Sequence, residues 1–412
     1  MNDFHGEGLR SVTARETEKT VQLDPEIATK VGVIGTGFIA ANLVHNLLRR
    51  EDWTLSRVLT RRPVDQVEGF PAAEALTDSI DELIDRSDVI IECTGDVLWA
   101  SHTIGRCLEA KLPVVTYNPE FHVTTGSHYV DRGFLTEAEG DQPGSIAALY
   151  EDVVEMGFEP LVLGNMKRFL NRDPTPDEMA FWAAKQHISL TMVTEFTDGT
   201  KLQIEQCLVG NYFGADIAQE ELLGPQLDDL NEVAQTLGAA ADAHGRLITD
   251  YMLSSTSPHG VFIVGRHQPD QMQPLNYLKM GDGPYYMLVY PSVLAHLEIF
   301  KTLARLRRGQ SVLLNNAEAP GISVAALAKR PLAAGEKIPR GTGSFDLRGI
   351  CVRNADRPDH LPIGLAQDMV VRRAVAPGQI LTMEDVDLPQ SEALDAWTTI
   401  SHRFETASKA IA

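Results

Sequence analysis

The chain has 412 residues, enough for two or three domains around a sizeable core. Its 36 Lys+Arg against 57 Asp+Glu give a formal charge of −21, which disfavours non-specific contact with nucleic acid or an anionic membrane and makes any anionic ligand depend on a local basic cluster. Cys93, Cys107, Cys207 and Cys351 form no CxxC pair and no apolar run is long enough to span a bilayer, so a zinc or disulfide framework is disfavoured and a reducing cytoplasm fits best.

Residues 1–29 are polar and mixed in charge, unlike a secretory signal, and are expected to form a loose arm or a short helix. KVGVIGTGFIAANLVHNLLRR then runs from a short apolar strand, Val31 to Ile34, through Gly35-Thr36-Gly37-Phe38-Ile39-Ala40 into an amphipathic helix. This is GxGxxA between strand and helix: Gly35 permits the tight turn and Gly37 lets a pyrophosphate approach the backbone. Ala40 allows close packing, and the free N–H groups at Phe38 and Ile39 receive the phosphates. After a second strand, Trp53 to Leu59, Thr60-Arg61-Arg62 replaces the acid that usually holds the ribose hydroxyls of NAD. Cations there suit a 2′-phosphate and predict NADP(H).

A strand at Asp88 to Glu92 ending in Thr94-Gly95, a helix from Val97 to Ala110, and a strand at Pro113 to Thr116 ending in Asn118-Pro119-Glu120 continue the alternation. The pattern predicts an α/β Rossmann fold, a doubly wound parallel sheet over residues 30–165, with Thr94, Gly95, Asn118 and Glu120 bordering the nicotinamide. Loop capping is the competing role for Asn118 and Glu120. Asp141 and Gln142 of GDQPG precede a helix and are expected either to cap it or to touch a ligand, and the strand Pro160 to Leu163 delivers Asn165 and Lys167 to its end, with Arg168 next to them as a further substrate-binding candidate.

An α+β substrate and oligomerisation domain is expected over 166–322, entered through a Pro-rich crossover at 171–178. Its alternating strand Ile188 to Phe196 would feed a helix starting near Asp198, so that Asp198, Lys201 and Glu205 fall at i, i+3 and i+7 on one face. That strip is either a cleft wall or an ordinary ion-pair ladder capped by Asp198. Further on, a helical pattern runs from Pro225 to Ala243, a strand from Gly260 to Val264 and a long helix from Ser292 to Leu306. His296 on that helix is assigned a core or capping role. Residues 323–390 read as short β-like runs between AxGE and APGQ turns, a small third module, and 391–412 as a tail.

VGVIGTGFIA, VVTYNPE, GDQPG, GNMKRFLNR, FTDGTKLQIE, NYLKMGDGPYY and the paired turns LAAGEKI and VAPGQIL together resemble the homoserine dehydrogenase-like oxidoreductases with a C-terminal SAF (beta-clip) domain. One branch, the DXP reductoisomerase-like family, converts a ketose phosphate with NADPH. The resemblance spans residues 30 to 390 and implies a cytoplasmic homo-oligomer acting on a small polyhydroxylated, phosphorylated carbonyl compound. Homoserine dehydrogenases have a lysine soon after the Asn of the corresponding strand, where this chain has Pro119-Glu120, so homoserine fits poorly.

Chemically, Lys201 or Lys167 can polarise the carbonyl oxygen and relay its proton. Isomerisation would need two oxygens held together, as Mg²⁺ or Mn²⁺ does through acids such as Glu120, Asp198 and Glu205, although no metal ligand set is fixed by the spacing. For the phosphate, Lys167, Arg168, Arg172, Lys185 and Lys279 are the candidate cations. The alternatives are a homoserine or related hydroxy-acid dehydrogenase and a non-catalytic NADP-binding regulator.

Overall fold

In the computed structural model, residues 23–24 and 27–411 are described, with side chains through 403. The expected arm lies almost wholly outside these residues.

Six parallel strands build the first sheet: β1 (Thr29–Ile34), β2 (Trp53–Leu59), β3 (Leu76–Thr77), β4 (Val89–Glu92), β5 (Val114–Thr116) and β6 (Leu135–Glu137), ordered β3-β2-β1-β4-β5-β6. Helices α1 (Phe38–Leu47), α2 (Ile80–Arg86), α3 (Val97–Glu109) and α4 (Pro119–Thr124) alternate with them. The strands are apolar on both faces because both are covered; Val31, Val33, Ile90, Ile91 and Val115 are fully buried. This is the expected doubly wound fold.

Next comes α5 (Gln142–Glu155), then β7 (Glu159–Lys167), α6 (Pro176–Gln186), α7 (Leu190–Thr197), α8 (Thr200–Phe213), α9 (Leu230–His244), β8 (Ile248–Leu253), β9 (Val261–Arg266), α10 (Met272–Tyr277), β10 (Tyr285–Tyr290) and α11 (Ile299–Arg307). A mixed sheet, β10-β9-β7-β8, has β7 parallel to β8 and antiparallel to β9. The expected boundary at 165/166 therefore falls inside β7. The chain also returns: Ile299, Leu303 and Leu306 of α11 pack into the first core with Val31 and Val44.

Two expectations are corrected here. Residues 190–197 are helix rather than strand: Ser189 accepts from Met192 N at 3.2 Å, an N-cap that overrides the alternating β-branched pattern. The long helix expected from Ser292 begins only at Ile299, after a single 3-10 turn at Ala295–Leu297.

The β-rich end comprises β11 (Ile322–Ala328), β12 (Lys337–Arg340), β13 (Leu347–Arg353), β14 (Gln367–Val371) and β15 (Val386–Asp387), followed by α12 (Glu392–Ile411). Strands β11 and β13 pair antiparallel and lie on α8. Thr200 Oγ1 accepts from Gly349 N at 2.9 Å, Gln203 Oε1 from Cys351 N at 2.8 Å and Asn211 Oδ1 from Ile322 N at 3.1 Å. Burial of Leu202, Ile204, Leu208 and Val209, each at most 1% exposed, holds the helix, roughly 1.5–3 kcal/mol per side chain. The C-terminal module thus braces the helix that carries Lys201 and Glu205. Among the described residues no helix is long and apolar enough to cross a membrane.

Candidate active site

At the carboxyl edge of the first sheet, Gly35 takes φ +114°, a conformation that favours glycine, and turns the chain into α1. A Cβ on Gly37 would meet nothing within 4 Å, and α1 has no side-chain cap, leaving the first-turn N–H groups of Phe38 and Ile39 open to an anion. Arg62 Nη2 donates to Thr36 Oγ1 in this turn at 2.7 Å, and its own N–H bonds Thr60 Oγ1. Arg61 is held at 2.8 Å by buried Asp96 and lies over Trp99. Thr94 is tied by its N–H (2.7 Å) and hydroxyl to buried Glu92, and Gly95 turns the chain at φ +63°. Asn118 is fully buried and caps α4, accepting from Phe121 N at 3.0 Å, so the capping role holds for its oxygen. His296 is half-buried, edge-on to Phe38.

Next to this edge a cavity of about 360 Å³ opens. Asp141, just after β6, lines it, and Glu120, in the first turn of α4 just after β5, stands behind the lining; both are carried to strand ends, where open parallel sheets bind ligands. From the other side α8 projects Lys201, whose Nζ lies 3.0 and 3.2 Å from the two Glu120 oxygens, with 12% and 5% of the respective side chains exposed. Desolvation works against the Lys201 charge, but Glu120, Asp141, Glu205 and Glu195 outweigh it and hold the ammonium above the ordinary lysine range.

One turn on, Glu205 Oε2 accepts from Asn165 Nδ2 at 2.6 Å and sits 3.5 Å from Lys167 Nζ. Burial pushes this carboxyl up to about 7, with Lys167 and Lys201 opposing and Asp141 and Glu120 adding to the rise. With its amide oriented to suit both neighbours, Gln142 donates to Asp141 at 2.8 Å and Glu205 at 3.3 Å. Arg168 lines the same cavity.

Two expected members lie elsewhere. Asp198 precedes α8 rather than sharing its face: Gly199, at φ +87°, separates the helices, and Asp198 accepts from Thr200 N at 2.9 Å and from Lys329 Nζ at 2.5 Å. It fastens the start of α8 to the C-terminal module. Lys279 is exposed in the turn after α10 and does not line the cavity. Of the further phosphate candidates, Arg172 pairs with Glu221 at 2.9 Å and Lys185 lies over Trp182.

The residues also do not fit a divalent metal. Both Glu120 oxygens face Lys201, Glu205 is taken by Asn165 and Lys167, and Asp198 is paired with Lys329. No cluster of three or more His, Cys, Asp or Glu able to hold a metal occurs among the described residues.

Sequence reasoning missed three features. Glu195 on α7 is pushed up to about 8 by burial and by Glu120, with Lys201 opposing; reading this segment as strand hid it. Phe169, Trp182, Phe196 and His259 line the cavity. His122 Nε2 and Glu137 Oε2 lie 3.4 Å apart with no exposure; burial lowers the imidazole to about 3 and, with Asp141, raises the Glu137 carboxyl.

The homoserine dehydrogenase NAD-binding domain model matches residues 35–129, and the model for the catalytic domain of oxidoreductase DRL matches residues 140–299. No curated protein matches. Solved structures with similarity include one described as a probable dehydrogenase from Thermotoga maritima (15% identity, covering 69% of this chain and 91% of that one, TM-score 0.40). UDP-N-acetylglucosamine 3-dehydrogenase from Acidithiobacillus ferrooxidans (12%, 70% and 92%, 0.42) and apo scyllo-inositol dehydrogenase from Lactobacillus casei (12%, 69% and 90%, 0.43) are comparable. The domain matches meet where the cavity lies: the first ends just after α4 and the second begins just before Asp141. The chain thus carries, in order, a nicotinamide-dinucleotide-binding domain and an oxidoreductase catalytic domain.

Proposed function

We propose that the protein is an NADPH-dependent oxidoreductase that interconverts a carbonyl and an alcohol on a small polyhydroxylated, anionic compound, with Lys201 as proton donor. The observation that carries this reading is a nearly buried ammonium, held by both oxygens of Glu120, in a cavity beside the carboxyl edge of the dinucleotide fold. The Gly35–Ile39 turn fits a pyrophosphate, and Arg62, with Arg61 behind it, suits a 2′-phosphate. When bound, the nicotinamide supplies or accepts the hydride.

Lys201 acts on the oxygen of the reacting carbon. Its fixed positive charge stabilises the negative charge that develops there during reduction, and Nζ then gives that oxygen a proton, leaving a neutral amine. An alkoxide is more basic than even this lysine, so the transfer runs downhill. Glu205, on the same face of α8 and pushed up to about 7, holds a proton near neutral pH with which to recharge the amine. Asn165 and Lys167 fix its orientation. Glu120 positions Lys201 and keeps it charged. Since Glu120, Glu205 and Asp198 already face lysines, the reaction is hydride transfer without metal-assisted isomerisation.

The test is NADP(H) absorbance in the presence of polyols, ketose phosphates and aspartate semialdehyde, for the wild type and Lys201→Met. Turnover of a hydroxylated substrate that is lost in Lys201→Met, with NADPH binding retained, supports the proposal. Equal turnover by the variant removes Lys201 from the chemistry, and turnover of aspartate semialdehyde alone would favour the homoserine reading.

A further inference from the structure

The cavity is lined by two chemically different sets of side chains. Lys201, Glu205, Asp141 and Gln142 make a polar floor; Phe169, Trp182 and Phe196 supply an aromatic wall, brought together from the segment after β7, from α6 and from α7. Phe169 and Phe196 are 62% and 44% exposed. Leaving large aromatic side chains in water forgoes the stabilisation their burial would bring, and exposed apolar surface lining a cavity marks a binding site. At the same mouth Arg168 is exposed and makes no ion pair among the described residues, beside Lys167 and His259.

Resting on the reading that this cavity holds the substrate, we infer that the substrate is a cyclic polyol or its ketone bearing an anionic substituent, stacked on the aromatic wall of the α6–α7 hairpin. A ring presents a flat face of C–H groups to Trp182 and Phe196, which an extended acyclic chain does not. Its hydroxyls meet the acids and amide of the floor, and its anionic group meets Arg168. Small-molecule sites span roughly 300–1,000 Å³, so a cavity of about 360 Å³ has room for one ring with short substituents.

The experiment is calorimetric binding to the full chain saturated with NADP⁺, using glucose 6-phosphate, glucose and the acyclic glycerol 3-phosphate as probes. The ring phosphate is expected to bind at least about tenfold tighter than the acyclic one, roughly 1.4 kcal/mol. Trp182→Leu and Phe196→Leu should erase that preference while changing acyclic binding little, and Arg168→Ala should weaken both phosphates but not glucose. Equal affinity for ring and chain, no binding of the ring phosphate, or a Trp182→Leu variant that changes self-association instead of ligand preference would overturn the inference. Failure of NADP⁺ itself to bind would instead overturn the oxidoreductase reading, so the two failures are separable.

Discussion

Removing Lys201 should expose how strongly the site depends on charge compensation. In Lys201→Met the Glu120 carboxylate, 5% exposed and previously bonded at 3.0 and 3.2 Å, is left in a low-dielectric pocket without its cation. Breaking a buried pair on one side destabilises by about 3–5 kcal/mol, whereas replacing both members with uncharged residues of similar volume is close to neutral. The nearby acids Glu205, Glu195 and Asp141 push towards the upper end, since they also lose the cation that offsets their mutual repulsion. Lys201→Met should therefore lower the urea midpoint strongly, and Lys201→Met/Glu120→Leu should regain most of the loss. A double-mutant cycle from urea melts at pH 7.5 gives the coupling. Coupling below about 1 kcal/mol, the range of exposed pairs, would refute the view that this pair is a desolvated centre.

Other consequences can be measured separately. Arg62→Ala should raise the Kd for NADPH at least about tenfold and leave NADH within about twofold, the loss of one charge-assisted phosphate contact; parallel loss for both cofactors would contradict the 2′-phosphate assignment. Glu205 has its carboxyl raised from 4.5 to about 7 in the folded state, so between those values the folded chain binds the extra proton and stability falls as pH rises. The full effect is about 3 kcal/mol above neutral pH, and Glu205→Gln should flatten the fall in Tm from pH 5 to 8; unchanged slopes would remove Glu205 as its source. Lys329→Met should destabilise by about 3–5 kcal/mol through the stranded Asp198, yet leave the Kd for NADPH unchanged, because Lys329 bonds Asp198 and Ser344 and none of the residues assigned to the dinucleotide.

What was legible in the sequence was local. A glycine turn between strand and helix is encoded within ten residues, and the apolar runs of β1, β2, β4 and β5 were legible in the same way; β3 and β6, two and three residues long, are too short to carry a pattern. Lys201 and Glu205 were legible as a pair because their spacing is one helical turn. Asp198 was not, because Gly199 in the left-handed region starts the helix after it, a backbone choice that side-chain periodicity does not report. The aromatic wall was hidden by the same kind of ambiguity: TMVTEF alternates like a strand, and only the Ser189 cap turns it into a helix that carries Glu195 and Phe196 towards the cavity. The Lys201–Glu120 contact joins residues 81 apart in sequence and follows from the packing of α4 on α8, which no local pattern states.

The most direct test of the central claim is a parallel measurement on wild type and Lys201→Met of NADPH affinity and of single-turnover hydride transfer with a cyclic phosphorylated ketone. Unchanged affinity with a transfer rate reduced by about 10²–10⁴ is predicted, the usual contribution of a positioned proton donor. A variant that binds NADPH and transfers hydride at the wild-type rate would contradict it.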